Sequence, residues 1–247
     1  MDKRQLDKLN KYFVINMQTK EGLWKLSPSG LYGFDDCRAC FWMDQHIGRA
    51  PSIPMRLNDA MDEKMKHRYD FFRKLKKLPP EIADKKELKN IRLFEDLSVL
   101  DPWRNTFTAL KFTNESGGYI LAGRLDEVFI NAEDELIPVD FKSSGDQPKE
   151  DKQKYYRSQL HGYALMLREL GNKIADIAYL VHYFTKDRND SSLLMEFIAH
   201  LDPVKIKLTD FEKKLSEMVE FLNSDYPGSN RNCDRCVWVE KRSELSQ

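Results

Sequence analysis

Apolar positions recur along the chain in two rhythms, and the changes between them mark out its elements. Residues 2–19 carry Leu6, Leu9, Phe13 and Ile15, an imperfect stripe that predicts a short amphipathic helix. Ser27-Pro28-Ser29 places a capping hydroxyl beside a proline, so a helix of about 15 residues should follow and end near Gly48. Asn58–Lys77 predicts a strongly charged helix with Ala60, Met61, Met65, Tyr69 and Phe72 on one side, stopped by Pro79-Pro80. The period then falls to two. Thr106–Thr113, Gly118–Asn131 and Glu135–Ser143 read as strands, separated by the turn signals of Asn114–Gly118 and Asn131–Asp134, which predicts an antiparallel meander. Asp151–Leu170 returns to helical spacing, with Leu160, Ala164 and Leu167 inward and Gly171 as its stop. Two strands (Ala175–Thr185, Leu193–Leu201), a helix (Thr209–Asn223) and a loop (Gly228–Trp238) complete the pattern, the order of one α/β domain spanning residues 1–247.

Composition adds limits to that outline. At 247 residues the chain can bury one good core, and 41% hydrophobic with 32% charged residues is the balance of an ordinary folding chain. Forty basic and forty acidic residues cancel, so a polyanionic partner would have to meet positive charge that is concentrated locally. No stretch approaches the roughly 20 apolar residues of a membrane span, and the polar start Met1-Asp2-Lys3-Arg4-Gln5 lacks the apolar core of a signal peptide. A cytoplasmic location is expected, where disulfides are rare, and the four cysteines need another explanation than oxidation.

The chemistry concentrates in Gly123-Arg124-Leu125-Asp126 and Val139-Asp140-Phe141-Lys142-Ser143-Ser144. Asp140 and Lys142 are two apart in a strand, so their side chains leave the same face, and a hairpin can bring Asp126 beside them. Two converging carboxylates repel unless a cation sits between them, and hard oxygen ligands, with the Phe141 carbonyl as a further one, favour Mg²⁺ or Mn²⁺. Such an ion can polarise a phosphodiester and lower the pKa of a water, while Lys142 orients that water or stabilises developing charge. Asp-x-Lys alone is common as an exposed ion pair worth little. Asp140 differs in sitting within the apolar run Leu136–Phe141, where an acid without a partner or metal is costly.

Cys37-Arg38-Ala39-Cys40 and Cys233-Asp234-Arg235-Cys236 are two chelating pairs about 190 residues apart. Together they supply four thiolates for one centre, and zinc or an iron–sulfur cluster accepts that set.

Gly-Arg-Leu-Asp, a turn, then Val-Asp-Phe-Lys-Ser-Ser resembles the core of the RecB-like PD-(D/E)XK nucleases. That family includes the iron–sulfur exonucleases of CRISPR adaptation and the nuclease domains of bacterial recombination helicases. Its helical Gln-x-x-x-Tyr pattern is matched by Gln159 and Tyr163, which share a helix face at i and i+4 and, by the resemblance, lie against substrate. The family also draws a metal-site acid or histidine from an early helix. Asp62 is the best match here, with Glu63 and His67 as competitors and no Gly-x-x-x-His form.

The resemblance implies a restriction-endonuclease-like fold, with a mixed central sheet flanked by helices and a small cysteine-ligated metal subdomain made by both chain ends. It divides the chain into a helical part (27–90), a nuclease core (91–224) and a Cys-x-x-Cys tail (225–247). It further implies metal-dependent cleavage of DNA by an exonuclease acting on single strands or ends, in repair, recombination or CRISPR adaptation, beside partner proteins of a DNA-processing complex. For the cysteines it leans to a [4Fe–4S] cluster, with zinc as the alternative. Arg38, Phe41, Trp42, Arg231, Arg235 and Trp238 are expected to line a stacking and phosphate-contacting channel. The competing function is a non-catalytic nucleic-acid-binding or redox-sensing module that keeps the fold.

Overall fold

The computed structural model describes residues 17–49, 55–148, 153–186, 191 and 194–244. In chain order it contains β1 (Trp24–Leu26), a 3₁₀ turn (Pro28–Gly30), α1 (Gly33–Asp36), α2 (Arg38–His46), α3 (Arg56–Lys74) and α4 (Pro80–Ala83). Then come β2 (Arg92–Leu93), α5 (Leu97–Arg104), β3 (Leu110–Asn114), β4 (Tyr119–Gly123), β5 (Glu127–Ile130) and β6 (Leu136–Ser144). α6 (Gln153–Glu169), β7 (Ile177–Thr185), β8 (Phe197–Lys205), α7 (Leu208–Leu222) and α8 (Asp234–Glu244) follow.

Two mixed sheets result. One has five strands in the order β2-β5-β6-β7-β8, with β6 and β7 parallel and the other neighbours antiparallel. The second has three, β1-β4-β3, with β1 parallel and β3 antiparallel to β4. The larger sheet divides the core. Ile137, Val139 and Phe141 of β6 pack with Met65 and Tyr69 of α3, whereas Leu136 packs on the side of α6, with Leu160, Ala164 and Leu167. Alternation along β6 therefore turns Asp140 and Lys142 toward α6.

Several expectations change. The helix expected over residues 2–19 lies outside the described residues up to residue 16, and its described end is not helical, since Gln18 makes an antiparallel bridge with Trp24. The single helix expected from Ser27 to Gly48 is a 3₁₀ turn and two helices, broken where Cys37 takes an extended conformation at φ −152°. The strand expected over Gly118–Asn131 is two strands belonging to different sheets, with Arg124, Leu125 and Asp126 as the junction. The meander thus splits into two hairpins, one in each sheet. The last strand is displaced to Phe197–Lys205, residue 193 lying outside the described residues, and the expected loop after Gly228 contains α8.

Close approach holds the first turn against the site. A Cβ on Gly123 would stand 2.8 Å from Cδ of Pro28, and one on Gly162 would stand 3.0 Å from Cβ of Pro28. Two glycines, one on β4 and one on α6, thus let the 3₁₀ turn seat beside Tyr163.

Candidate active site and cysteine centre

Asp126 lies where the chain leaves one sheet for the other, and three interactions fix it there. Phe141 N–H of β6 donates to its Oδ2 at 2.9 Å, and Lys66 of α3 ion-pairs with Oδ1 at 3.1 Å. Arg104, from the end of α5, donates through Nε to its backbone carbonyl at 2.9 Å. Arg104 and Arg73 also converge on the fully buried Glu127, at 3.0 and 2.6 Å, and Asp70 accepts from Arg104 at 2.9 Å. A buried charge network therefore pins the backbone on which Asp126 is carried.

Asp140 is 1% exposed. Its Oδ1 accepts from Gln159 Nε2 at 2.6 Å, while Oδ2 meets the Lys142 ammonium as an ion pair but accepts no directed hydrogen bond. Burial pushes the Asp140 carboxyl up to about 7; Lys142 opposes the shift and the Asp126 charge adds to it. Burial alone would lower Lys142, but the Asp140 charge outweighs it and raises the ammonium above its usual range. Lys142 also donates to Gln159 Oε1 at 3.2 Å and lies 4.6 Å from the ring centroid of Tyr156. Gln159 donates to Tyr163 Oη at 2.8 Å, and burial, with the Asp140 and Asp126 charges, holds that phenol well above its ordinary pKa.

Asp62 completes the constellation from α3. It accepts from Lys66 at 2.6 Å, and burial, then the Asp126 charge, raises its carboxyl. Glu63 and His67, its competitors in the sequence, pair loosely with each other at 3.8 Å on the exposed side of the helix. A cleft of about 450 Å³ brings Asp62, Asp126, Asp140, Lys142, Gln159 and Tyr163 to one wall system. Six of the side chains singled out in the sequence thus line one cleft, and Glu63 and His67 do not. Lys66, Arg73, Arg104 and Glu127 were not singled out, and only the tertiary fold reveals their partners.

These donors fit a hard divalent cation: carboxylates from α3, the β4–β5 junction and β6 line one cleft, and one buried oxygen of Asp140 has a charge beside it but no directed hydrogen bond. The four cysteines form a second cluster. Their sulfurs all lie within 4.8 Å of one another, with Cys37–Cys236 at 3.8 Å, Cys40–Cys233 at 3.6 Å and Cys40–Cys236 at 3.5 Å. All four are free thiols, and these separations are far beyond the roughly 2.05 Å of a disulfide. Burial and the neighbouring sulfurs push the Cys40 thiol up, while a backbone N–H of Cys236 draws Cys233 down.

Of the residues expected to line a stacking channel, Phe41 is withdrawn into the core, and Arg38, Trp42 and Arg235 have partners within the chain. Phe41 is core, edge-on to Phe34 at 5.4 Å, and Trp42 stacks on His46 at 3.6 Å while donating to the Ser224 carbonyl. Arg38 covers the Phe34 ring, Arg235 is paired with Asp44, and Trp238 is exposed with Arg242 over it.

The sequence matches the model of the PD-(D/E)XK nuclease superfamily over residues 42–240. The chain belongs to that superfamily, and its two mixed sheets flanked by helices agree with a restriction-endonuclease-like fold. No curated protein matches the sequence significantly. Among solved structures it is similar to SSO0001, at 13% identity and a TM-score of 0.43, covering 95% of this chain and 92% of that one. It is also similar to an alkaline exonuclease (LHK-Exo) from Laribacter hongkongensis, at 10% identity and a TM-score of 0.43, covering 96% of this chain and 100% of that one. Among the described residues no helix is long and apolar enough to cross a membrane.

Proposed function

We propose that this nuclease is a metal-dependent deoxyribonuclease, an exonuclease working on single strands or ends, with Asp126, Asp140 and Lys142 as its cleavage centre. Asp62 is the further acid, the Phe141 carbonyl a further ligand, and Gln159 and Tyr163 lie against substrate. The observation that carries the reading is Asp140, buried to 1% exposure in a cleft shared with two more carboxylates and a lysine. Such a concentration of acid is costly unless a cation joins it.

When bound, Mg²⁺ or Mn²⁺ supplies Lewis acidity to a phosphodiester and makes an attacking water more acidic. Lys142, raised and therefore protonated at neutral pH, balances charge that develops on the phosphate oxygens. Gln159 contacts both Asp140 and Lys142, so it fixes their spacing. On this reading residues 91–224 form the nuclease core, and 27–90 with 225–247 carry the cysteine site.

For the cysteines we infer a single tetrahedral ion, with zinc foremost, in place of the [4Fe–4S] cluster that the resemblance implies. A zinc–sulfur bond of about 2.3 Å sets sulfurs about 3.8 Å apart at the corners of a tetrahedron, close to the separations here. A cubane places four irons between its thiolates and needs them further apart. Both readings meet one experiment. Metal analysis of protein purified with and without air is paired with cleavage of end-labelled single-stranded and duplex DNA, with and without Mn²⁺. Absence of cleavage by protein shown to bind Mn²⁺ would sink the enzyme; a brown protein with four irons would sink the single ion.

A further inference from the structure

Among the described residues, Lys66 is the group ion-paired to both Asp62 and Asp126, and the cleavage reading has no use for it. It stands one helical turn after Asp62 on α3, with its side chain 16% exposed. Its ammonium lies 2.6 Å from Asp62 Oδ2 and 3.1 Å from Asp126 Oδ1. Lys142 is committed elsewhere, to Asp140 and Gln159. The three acids are therefore ion-paired by two separate ammonium groups, and the Arg124 guanidinium lines the same cleft and acts on Asp62 by its charge. Asp126 gives its other oxygen to the Phe141 amide, so Oδ1 is the oxygen that Lys66 shares with any incoming ion.

We propose that Lys66 is the resident counter-cation of the Asp62–Asp126 pair and competes with the divalent ion for it. The proposal rests on reading these acids as the metal centre. Two facing carboxylates in a partly desolvated cleft repel, and an ammonium between them relieves that repulsion while no metal is bound. A divalent cation reaching the same oxygens meets a positive charge already there. It binds only by displacing the ammonium or by tolerating it, and both lower its affinity. Lys66 then holds the acids in place for the metal-free protein at the expense of metal affinity. If Lys66 were instead a positioning group for the metal ligands, its loss would weaken metal binding, so the two roles differ in sign.

The test is Mn²⁺ titration of the full chain by calorimetry, with thermal melts in EDTA, for wild type, Lys66→Met, Lys66→Arg and Asp126→Asn. Lys66→Met should tighten Mn²⁺ binding about tenfold, the effect of removing one nearby unit charge, and should lower the metal-free melting temperature. Lys66→Arg, which keeps the charge, should leave the affinity near wild type. If Lys66→Met does not fold without metal, Lys66→Gln removes the charge while keeping a hydrogen-bond donor and carries the same expectation. Weaker or unchanged Mn²⁺ binding in the uncharged variant overturns the competition. Where Asp126→Asn abolishes binding and Lys66→Met leaves it unmoved, only the competition fails. Where wild type itself binds no Mn²⁺, the cleavage-centre reading fails and takes the competition with it.

Discussion

Gln159 and Asp140 are joined side chain to side chain: the amide nitrogen of the first donates to Oδ1 of the second at 2.6 Å, with both residues buried. The same amide nitrogen reaches Tyr163 and its oxygen accepts from Lys142. Gln159→Leu removes every one of these bonds at little change in volume. A buried acceptor left unpaired costs about 1–3 kcal/mol, and a misplaced group in a site that works jointly costs about 100-fold or more in rate. Urea denaturation and initial cleavage rates on one preparation check both. Stability lost with cleavage intact would return Gln159 to the fold alone.

Tyr163 separates fold from function more sharply. Tyr163→Phe removes the hydroxyl that accepts from Gln159 and leaves the ring in the core, so the melting temperature should move little while cleavage falls. Tyr163→Ala opens a cavity as well and should cost about 3–5 kcal/mol. Equal rates for Tyr163→Phe and wild type would mark the ring as packing only.

The Asp140 carboxyl, pushed up to about 7, ties stability to pH. Between about pH 4 and 7 the folded chain keeps a proton that the unfolded chain has released. Stability of the metal-free protein therefore falls as pH rises through that window, by at most about 1.4 kcal/mol per pH unit from this group. Below the window both states are protonated, and above it both are ionised. Asp140→Asn should flatten that contribution, measured as the difference between the two proteins in urea midpoints in EDTA. Parallel curves for wild type and variant would show that Asp140 is not held protonated.

Glu127 sits beside the site without facing the cleft, and its partners make it a test of how Asp126 is held. Glu127→Ala takes from Arg73 and Arg104 the more buried of the two carboxylates they share, Asp70 being the other, a change that should cost up to about 3–5 kcal/mol. Arg104→Lys should be milder for stability yet harmful to cleavage, because Lys lacks the fork that reaches both Glu127 and the Asp126 carbonyl. Activity that survives Arg104→Lys unchanged would show that Asp126 needs no such support.

Local rhythm explains which parts of this arrangement could be read from sequence. A period of two puts Asp140 and Lys142 on one strand face, and a period of 3.6 puts Gln159 beside Tyr163, so both pairs were legible. The split of Gly118–Asn131 was not, because apolar residues continue on both sides of Arg124–Asp126 and nothing local tells one sheet from the other. α5 is short and carries Pro102 inside it, so its period is weak; its local signal is Asp96, whose side chain accepts from the Ser98 N–H at 2.9 Å as an N-cap. Lys66 and Glu127 look like ordinary surface charge in a chain that is one-third charged. Lys66 meets Asp126 from 60 positions away and Glu127 meets Arg73 from 54, and no local pattern encodes such meetings.

Cys236 makes the last expectation, because its sulfur is within 3.8 Å of both Cys37 and Cys40 and lies buried on α8. α8 has a mostly charged sequence with little apolar stripe, so its place against α2 depends on what the cysteines hold. Four thiolates drawn from distant segments have no counterpart in the unfolded chain, and binding an ion there adds directly to folding free energy. Cys236→Ser should therefore strip the bound metal and lower the melting temperature by several degrees, with cleavage lost as a consequence of unfolding. A chelator strong enough to remove zinc should give wild type the melting temperature of the variant, and added zinc should restore wild type only. Full metal content and an unchanged melt in Cys236→Ser would mean that the sulfur is a core side chain and not a ligand.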